Sequence, residues 1–143
     1  MKNFFSSDQE KLIVDAIASA EKQTSGEIRL HVVTRCKIDA KQQAIEVFEK
    51  LGMTKTKDRN GVLIFLATSD KKFAIIGDQG IDLVVPSDFW NSVRDKMSLH
   101  FKNGDFVSGI TEGIFAAGEK LKQFFPYAED DQDELSNDIS FGE

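Results

Sequence analysis

The sequence predicts an α/β domain in three layers, a small mixed sheet covered by helices on both faces. Two β-rich runs, Ile28 to Thr34 and Val62 to Ala67, flank a stretch with helical periodicity, so the strands they form should be parallel. A third run, Lys72 to Gly77, follows the second after only Ser69-Asp70-Lys71, too short a link for anything but an antiparallel hairpin. Val107, Ile110, Ile114, Ala117, Leu121 and Phe124 step by three or four, the spacing of a helix with one apolar face.

The elements follow in order. Ser7 with Glu10 reads as a capping box, with Phe4 or Phe5 as the staple before it. Leu12, Ile13, Ala16, Ile17 and Ala20 then carry a first helix to about Lys22. Thr24-Ser25-Gly26 breaks it, and the first strand begins at Glu27. Asp39 caps a second helix with Ala44, Ile45, Phe48 and Leu51 on its apolar side, closed by Gly52. The run after Asn60-Gly61 is apolar on both faces, as a central strand between helical layers should be. Beyond the hairpin, Pro86-Ser87-Asp88 starts a helix carrying Phe89, Trp90, Val93, Met97 and Phe101. Asn103-Gly104-Asp105 stops it and caps the last helix, which Pro126 ends. Residues 1–126 read as one domain and 127–143 as an acidic tail.

Charge separates the two parts. The net charge is −6, but seven of the 24 acids lie between Tyr127 and Glu143, where no base occurs. That leaves 17 acids against 18 bases, a nearly neutral body with a solvated, flexible tail that repels nucleic acid. Ile139 and Phe141 interrupt the acids, and their docking back on the domain or on a partner is the alternative. Asp131-Gln132-Asp133 lacks the glycine and glutamate of an EF-hand loop. Twelve Phe against one Trp and one Tyr mark a packing bias. No apolar run approaches the length of a membrane span, and the first residues lack a secretory apolar core, so a cytoplasmic, monomeric protein without membrane insertion is expected. The single Cys36 agrees with a reducing compartment.

Topology then places a site. The starts of two parallel strands and the end of the hairpin strand share one edge of the sheet, bringing together Ser25-Gly26-Glu27, Asp58-Arg59-Asn60-Gly61 and Gly77-Asp78-Gln79-Gly80. Asn103-Gly104-Asp105 joins them if the last helix starts there. Glu27, Asp58, Asp78 and Asp82, with Asp105 and Asp88 behind them, are the oxygen donors that hard cations require; sulfur and imidazole are missing, which argues against zinc. The competing reading is turn chemistry, since Asp and Gly favour turns for backbone reasons alone.

Thr24-Ser25-Gly26-Glu27-Ile28-Arg29, Arg59-Asn60-Gly61-Val62-Leu63-Ile64 and Lys72-Phe73-Ala74-Ile75-Ile76-Gly77-Asp78-Gln79-Gly80-Ile81 resemble, in order, the signature blocks of the TPM domain. Phe106 to Pro126 is similar to that family's last helix, and the likeness covers about residues 6–126. It implies an α/β/α sandwich holding calcium, or else magnesium, at the sheet edge. It also implies acid phosphatase activity as an option, because that has been proposed for some members. Members in photosynthetic organisms are linked to photosystem repair, and many relatives carry a signal peptide and a membrane anchor. Neither pattern is read here, so a membrane or photosystem role is not expected.

Other chemistries have less behind them. Cys36 is followed by Gln42 where a phosphate loop of the Cys-x5-Arg kind needs arginine. His31 and His100 have no partner in a triad pattern, and no Gly-rich nucleotide loop occurs. Two functions remain. One is a divalent-metal-binding interaction module with a protein partner, its ion on Asp78, Glu27, Asp58, Asp105 and Asp82. The other is a metal-dependent phosphatase, with Glu27 or Asp58 as base. Arg59 either balances the carboxylates, holds an anion, or forms a salt bridge across the rim.

Overall fold

The computed structural model describes residues 4–127 and 135–142. Its elements are α1 (Ser7–Glu21), β1 (Glu27–Val33), α2 (Ala40–Lys50), β2 (Gly61–Ala67), β3 (Lys72–Gly77), α3 (Gln79–Asp82), α4 (Asn91–Lys102), α5 (Phe106–Leu121) and β4 (Ser140–Phe141). The sheet order is β3-β2-β1-β4. β1 and β2 are parallel, Glu27 opposite Gly61, and β3 returns antiparallel to β2, Val62 opposite Gly77. All seven residues of β2 are buried, which explains its unbroken apolar sequence.

Strand alternation divides the core. Ile28, Leu30, Val32, Val62, Ile64 and Leu66 point to the side where α1, α4 and α5 supply Ile13, Ile17, Met97, Ile110 and Ile114. Leu63, Phe65 and Ala67 point to the other side, where α2 supplies Ala44 and Phe48. The expected sandwich is therefore asymmetric, with three long helices on one face and one on the other.

Local signals shifted at three ends. The capping box uses Ser6 with Gln9, one residue earlier than Ser7 with Glu10; Ser6 Oγ accepts from the Gln9 N–H at 3.1 Å and Gln9 Oε1 from the Ser6 N–H at 2.9 Å. Pro86-Ser87-Asp88 begins not the helix but a pair of turns, closed by Phe89 and Asn91 N–H bonds to the Pro86 and Asp88 carbonyls. α4 starts only at Asn91. α5 ends at Leu121, five residues before Pro126.

The fourth strand is the larger departure. Residues 135–142 return to the domain in place of a solvated tail. Ser140 and Phe141 pair in parallel with His31 and Val32, and the Gly142 N–H donates to the Val32 carbonyl at 2.9 Å. Ile139 and Phe141 pack on the larger core and Leu135 on the smaller one. Glu129, Asp130, Asp131, Asp133 and Glu134 lie outside the described residues.

Glycine lets α5 approach its neighbours. A Cβ on Gly118 would sit 2.9 Å from the Ala20 Cβ and 3.3 Å from the Ala20 backbone, neither of which can swing away. The nearest atoms to one on Gly113 belong to the unbranched Met97 side chain, Sδ at 2.5 Å and Cγ at 2.8 Å, which can turn aside where a backbone cannot. Overpacking costs about 1–3 kcal/mol and a Gly-to-Ala change in a helix returns up to about 1. Gly118→Ala should lose about 1 kcal/mol, roughly 3 °C in melting temperature, while Gly113→Ala stays near wild type. Thermal unfolding of both variants followed by circular dichroism checks this contrast.

Candidate functional site

The three polar segments meet at the rim as the topology requires. The Glu27 N–H donates to the Asn60 carbonyl at 3.3 Å, the Asp78 N–H to the Gly61 carbonyl at 2.9 Å, and the Gly80 N–H to the Arg59 carbonyl at 2.9 Å. Asn60 Nδ2 reaches Ser25 Oγ at 3.3 Å. Gly80 is needed for this closure, since a Cβ there would fall 2.2 Å from the Asp58 carbonyl oxygen and 2.7 Å from that of Arg59.

Asp78 is the centre of the arrangement. Its side chain is 4% exposed, and Arg59, 42% exposed, clamps it through two bonds, Nε to Oδ2 at 2.8 Å and Nη2 to Oδ1 at 2.9 Å. The Gln79 N–H donates to Oδ1 at 2.7 Å, so the carboxylate also caps α3. Arg59 reaches it from a left-handed backbone, φ 50°, which an L-residue adopts at a cost of roughly 1–2 kcal/mol. The bond to Asp78 also holds the Arg59 pKa above its ordinary value. Of the alternatives for Arg59, the salt bridge across the rim is the one formed here.

Beside this pair a cleft of about 390 Å³ opens at the β3 edge, between α2 and the 87–94 segment. Its acids are Glu49, Asp78 and Asp82, its cations Lys41, Arg59 and Arg94. Thr54 and Ser87 add hydroxyls, and Ile45, Phe48, Ile76 and Trp90 make an apolar wall. Partial burial pushes the Asp82 carboxyl above its usual range. Lys41 opposes that shift and the charge of Asp78 adds to it.

The other expected ligands do not line this cleft. Glu27 is two strands away from β3, roughly 10 Å at sheet spacing. It is 3% exposed, and its Oε1 accepts the Leu135 N–H at 2.7 Å. Asp58 is exposed, and what it turns toward Gly80 is its backbone carbonyl. Asp105 caps α5, accepting from the Ser108 N–H, and those Ser108 bonds lower its pKa. The other end of that 16-residue helix, about 24 Å away, is the one at the rim: Leu121 lies against Gly26, and the Phe125 carbonyl accepts from the Ser25 N–H. Asp88 lines a separate groove with Asp95 and Lys120. Lys41, Glu49, Trp90 and Arg94 were missed, although Lys41-Ile45-Glu49 and Trp90-Arg94 repeat every four residues and so share a helix face.

Comparison with known proteins follows the fold. A family model described as the TPM domain matches residues 1–120. The NMR structure of the BA42 protein from the psychrophilic bacterium Bizionia argentinensis is 50% identical with a TM-score of 0.92, covering 97% of this chain and 96% of that one. The N-terminal domain of a P. gingivalis protein aligns at 17% identity, TM-score 0.70, over 87% of this chain and 82% of its own. The N-terminal domain of the cg2496 protein from Corynebacterium glutamicum aligns at 12%, TM-score 0.67, over 83% and 75%. These last two are alike in fold alone. A search of curated proteins finds no match. No helix among the described residues is long and apolar enough to cross a membrane.

The raised Asp82 pKa fixes the sign of a pH effect. The folded state holds this proton more tightly than the unfolded chain does. Stability attached to Asp82 is therefore present below the unfolded value near 3.8 and lost as pH rises through the folded one. Asp82→Asn should melt above wild type at pH 7 in chelator, and the gain should vanish below about pH 4. A pH series of melting curves on both proteins measures it.

Proposed function

Given that the chain belongs to the TPM-domain family, we propose that it is a divalent-cation-binding interaction module whose ion is held at the β3-edge cleft by Asp78 and Asp82. The observation that carries this reading is the pairing of those two carboxylates, one buried and one raised in pKa, on the short α3 turn facing one cleft.

The residues fit a limited kind of site. Among the described residues no three of His, Cys, Asp and Glu gather as a metal cage. Asp78 already accepts three hydrogen bonds, two on Oδ1 and one on Oδ2, which leaves one acceptor direction on Oδ2. Two carboxylates with water filling the shell is a common arrangement for magnesium. Calcium would also draw on neutral oxygens, of which Thr54 and Ser87 line the same cleft. Glu27 and Asp105 have no part in this proposal, because their positions keep them from Asp78; Asp58 is left out because it does not line the cleft.

A protein partner belongs to the proposal because Leu83 and Val84, 76% and 52% exposed, directly follow Asp82. An ion that orders α3 would order this apolar step with it. The phosphatase alternative draws support from Lys41 and Arg94, cations that share the cleft with the acids and suit a phosphoryl group. The bound ion would supply Lewis acidity there, while Lys41 and Arg94 would orient the ester and Glu49 is the remaining cleft carboxylate for a proton.

Thermal unfolding in EDTA and then in millimolar calcium or magnesium tests the site. At 100 times its dissociation constant an ion adds about 2.7 kcal/mol, roughly 5–10 °C here. The rise is expected in wild type and lost in Asp82→Asn, which leaves the Asp78–Arg59 clamp intact. No rise with either ion in wild type would sink the proposal. For the alternative, turnover of p-nitrophenyl phosphate should fall at least tenfold in Arg94→Gln; absence of turnover in pure protein would remove it.

A further inference from the structure

The opposite edge of the sheet carries a separate device. Without residues 135–142, β1 would be an edge strand, and β4 covers it with only two paired residues. His31 lies directly beneath. It is 7% exposed, its ring is within 15° of parallel to Phe65 at 6.1 Å, and Nδ1 is 2.8 Å from Ser140 Oγ. Gly142 packs over the ring so closely that a Cβ there would come 2.8 Å from Nε2.

The charges around that ring are all of one sign. Arg29 faces it from β1 and Lys50 from α2; β2 contributes the Phe65 ring, and the covering segment contributes Ser140, Phe141 and Gly142. No acid faces it among the described residues, and Glu143, the next residue, lies outside them. An imidazolium here would sit between two cations with its water removed.

We infer that residues 135–142 are a latch on the β1 edge, held shut by neutral His31 and released when that ring takes up a proton. Of the elements packed on His31, the two-residue strand is the one that can leave without dismantling the core. Its departure gives the ring water and uncovers the backbone of Val32. Burial first, then Arg29 and Lys50, push the His31 pKa down to about 4 in the shut state. An opened ring moves back toward about 6.5. Docking is thus complete above that value and weakens as pH falls toward 4, by up to about tenfold per unit.

Amide hydrogen exchange on the full chain between pH 7.5 and 4.5, corrected for intrinsic rates, reads this directly. The Gly142 amide should be protected at pH 7.5 and lose up to about tenfold per unit below 6.5. The Ile64 amide in β2, which reports the fold as a whole, should keep its protection. In His31→Gln the Gly142 amide should show no such slope. A ring titration by NMR supplies a second reading, with His31 well below 6.5 in wild type and moved upward in Phe141→Ala. An unprotected Gly142 amide at pH 7.5, a flat profile in wild type, or an equal slope in His31→Gln would overturn the latch.

Discussion

A carboxylate that is 4% exposed cannot stand alone, and the way Asp78 is satisfied organises the rim of this domain. Removing an ion from water costs several kcal/mol unless hydrogen bonds and an opposite charge replace the solvent. Asp78 receives both, from the Arg59 fork and from the first N–H of α3. The consequences spread outward. Arg59 accepts a left-handed backbone to reach it, its carbonyl takes the Gly80 N–H, and residue 80 must be glycine because two carbonyls press against it. The same clamp fixes the direction of α3 and so turns Asp82 into the cleft.

This constraint separates the two proposed functions by distance. The cleft belongs to the β3 edge, where α2 and the 87–94 segment wall it in. Glu27 belongs to the other side, where its carboxylate holds Leu135 and so anchors the returning chain. A residue expected to serve the ion serves the C-terminal segment. In the strand order β3-β2-β1-β4, β2 stands between Glu27 on β1 and the β3 edge.

Much of this was legible in the sequence where periodicity is long. The continuous run of β2 and the three-residue turn to β3 fixed their roles, and strand order alone brought the three polar segments to one rim. Side-chain direction at turns has no period. Asp78 led the expected ligands as a side chain free at the strand end, with Asp58 behind it. Yet Asp78 is a buried carboxylate clamped by Arg59, while Asp58 turns a carbonyl toward Gly80. Asp105 was misplaced because a helix cap says where a helix starts and not which end of the sheet it starts from. Lys41 and Glu49 flank Ile45 at the right spacing, but Ile45 was assigned to the apolar side of its helix and the two charges beside it carried no site signal of their own. β4 was too short to carry a strand pattern. Only the apolar pair Ile139 and Phe141 within an acidic stretch pointed to docking.

The most direct test of the account is a magnesium titration of the ¹⁵N-labelled protein, followed residue by residue in amide spectra, and repeated with calcium. The account predicts saturable shifts centred on Asp78, Gln79 and Asp82, with smaller ones at Arg59, Glu49 and Ser87 and none at Asp105. No shifts in that group at millimolar ion, or saturable shifts centred on Asp105 or Asp88 instead, would contradict it.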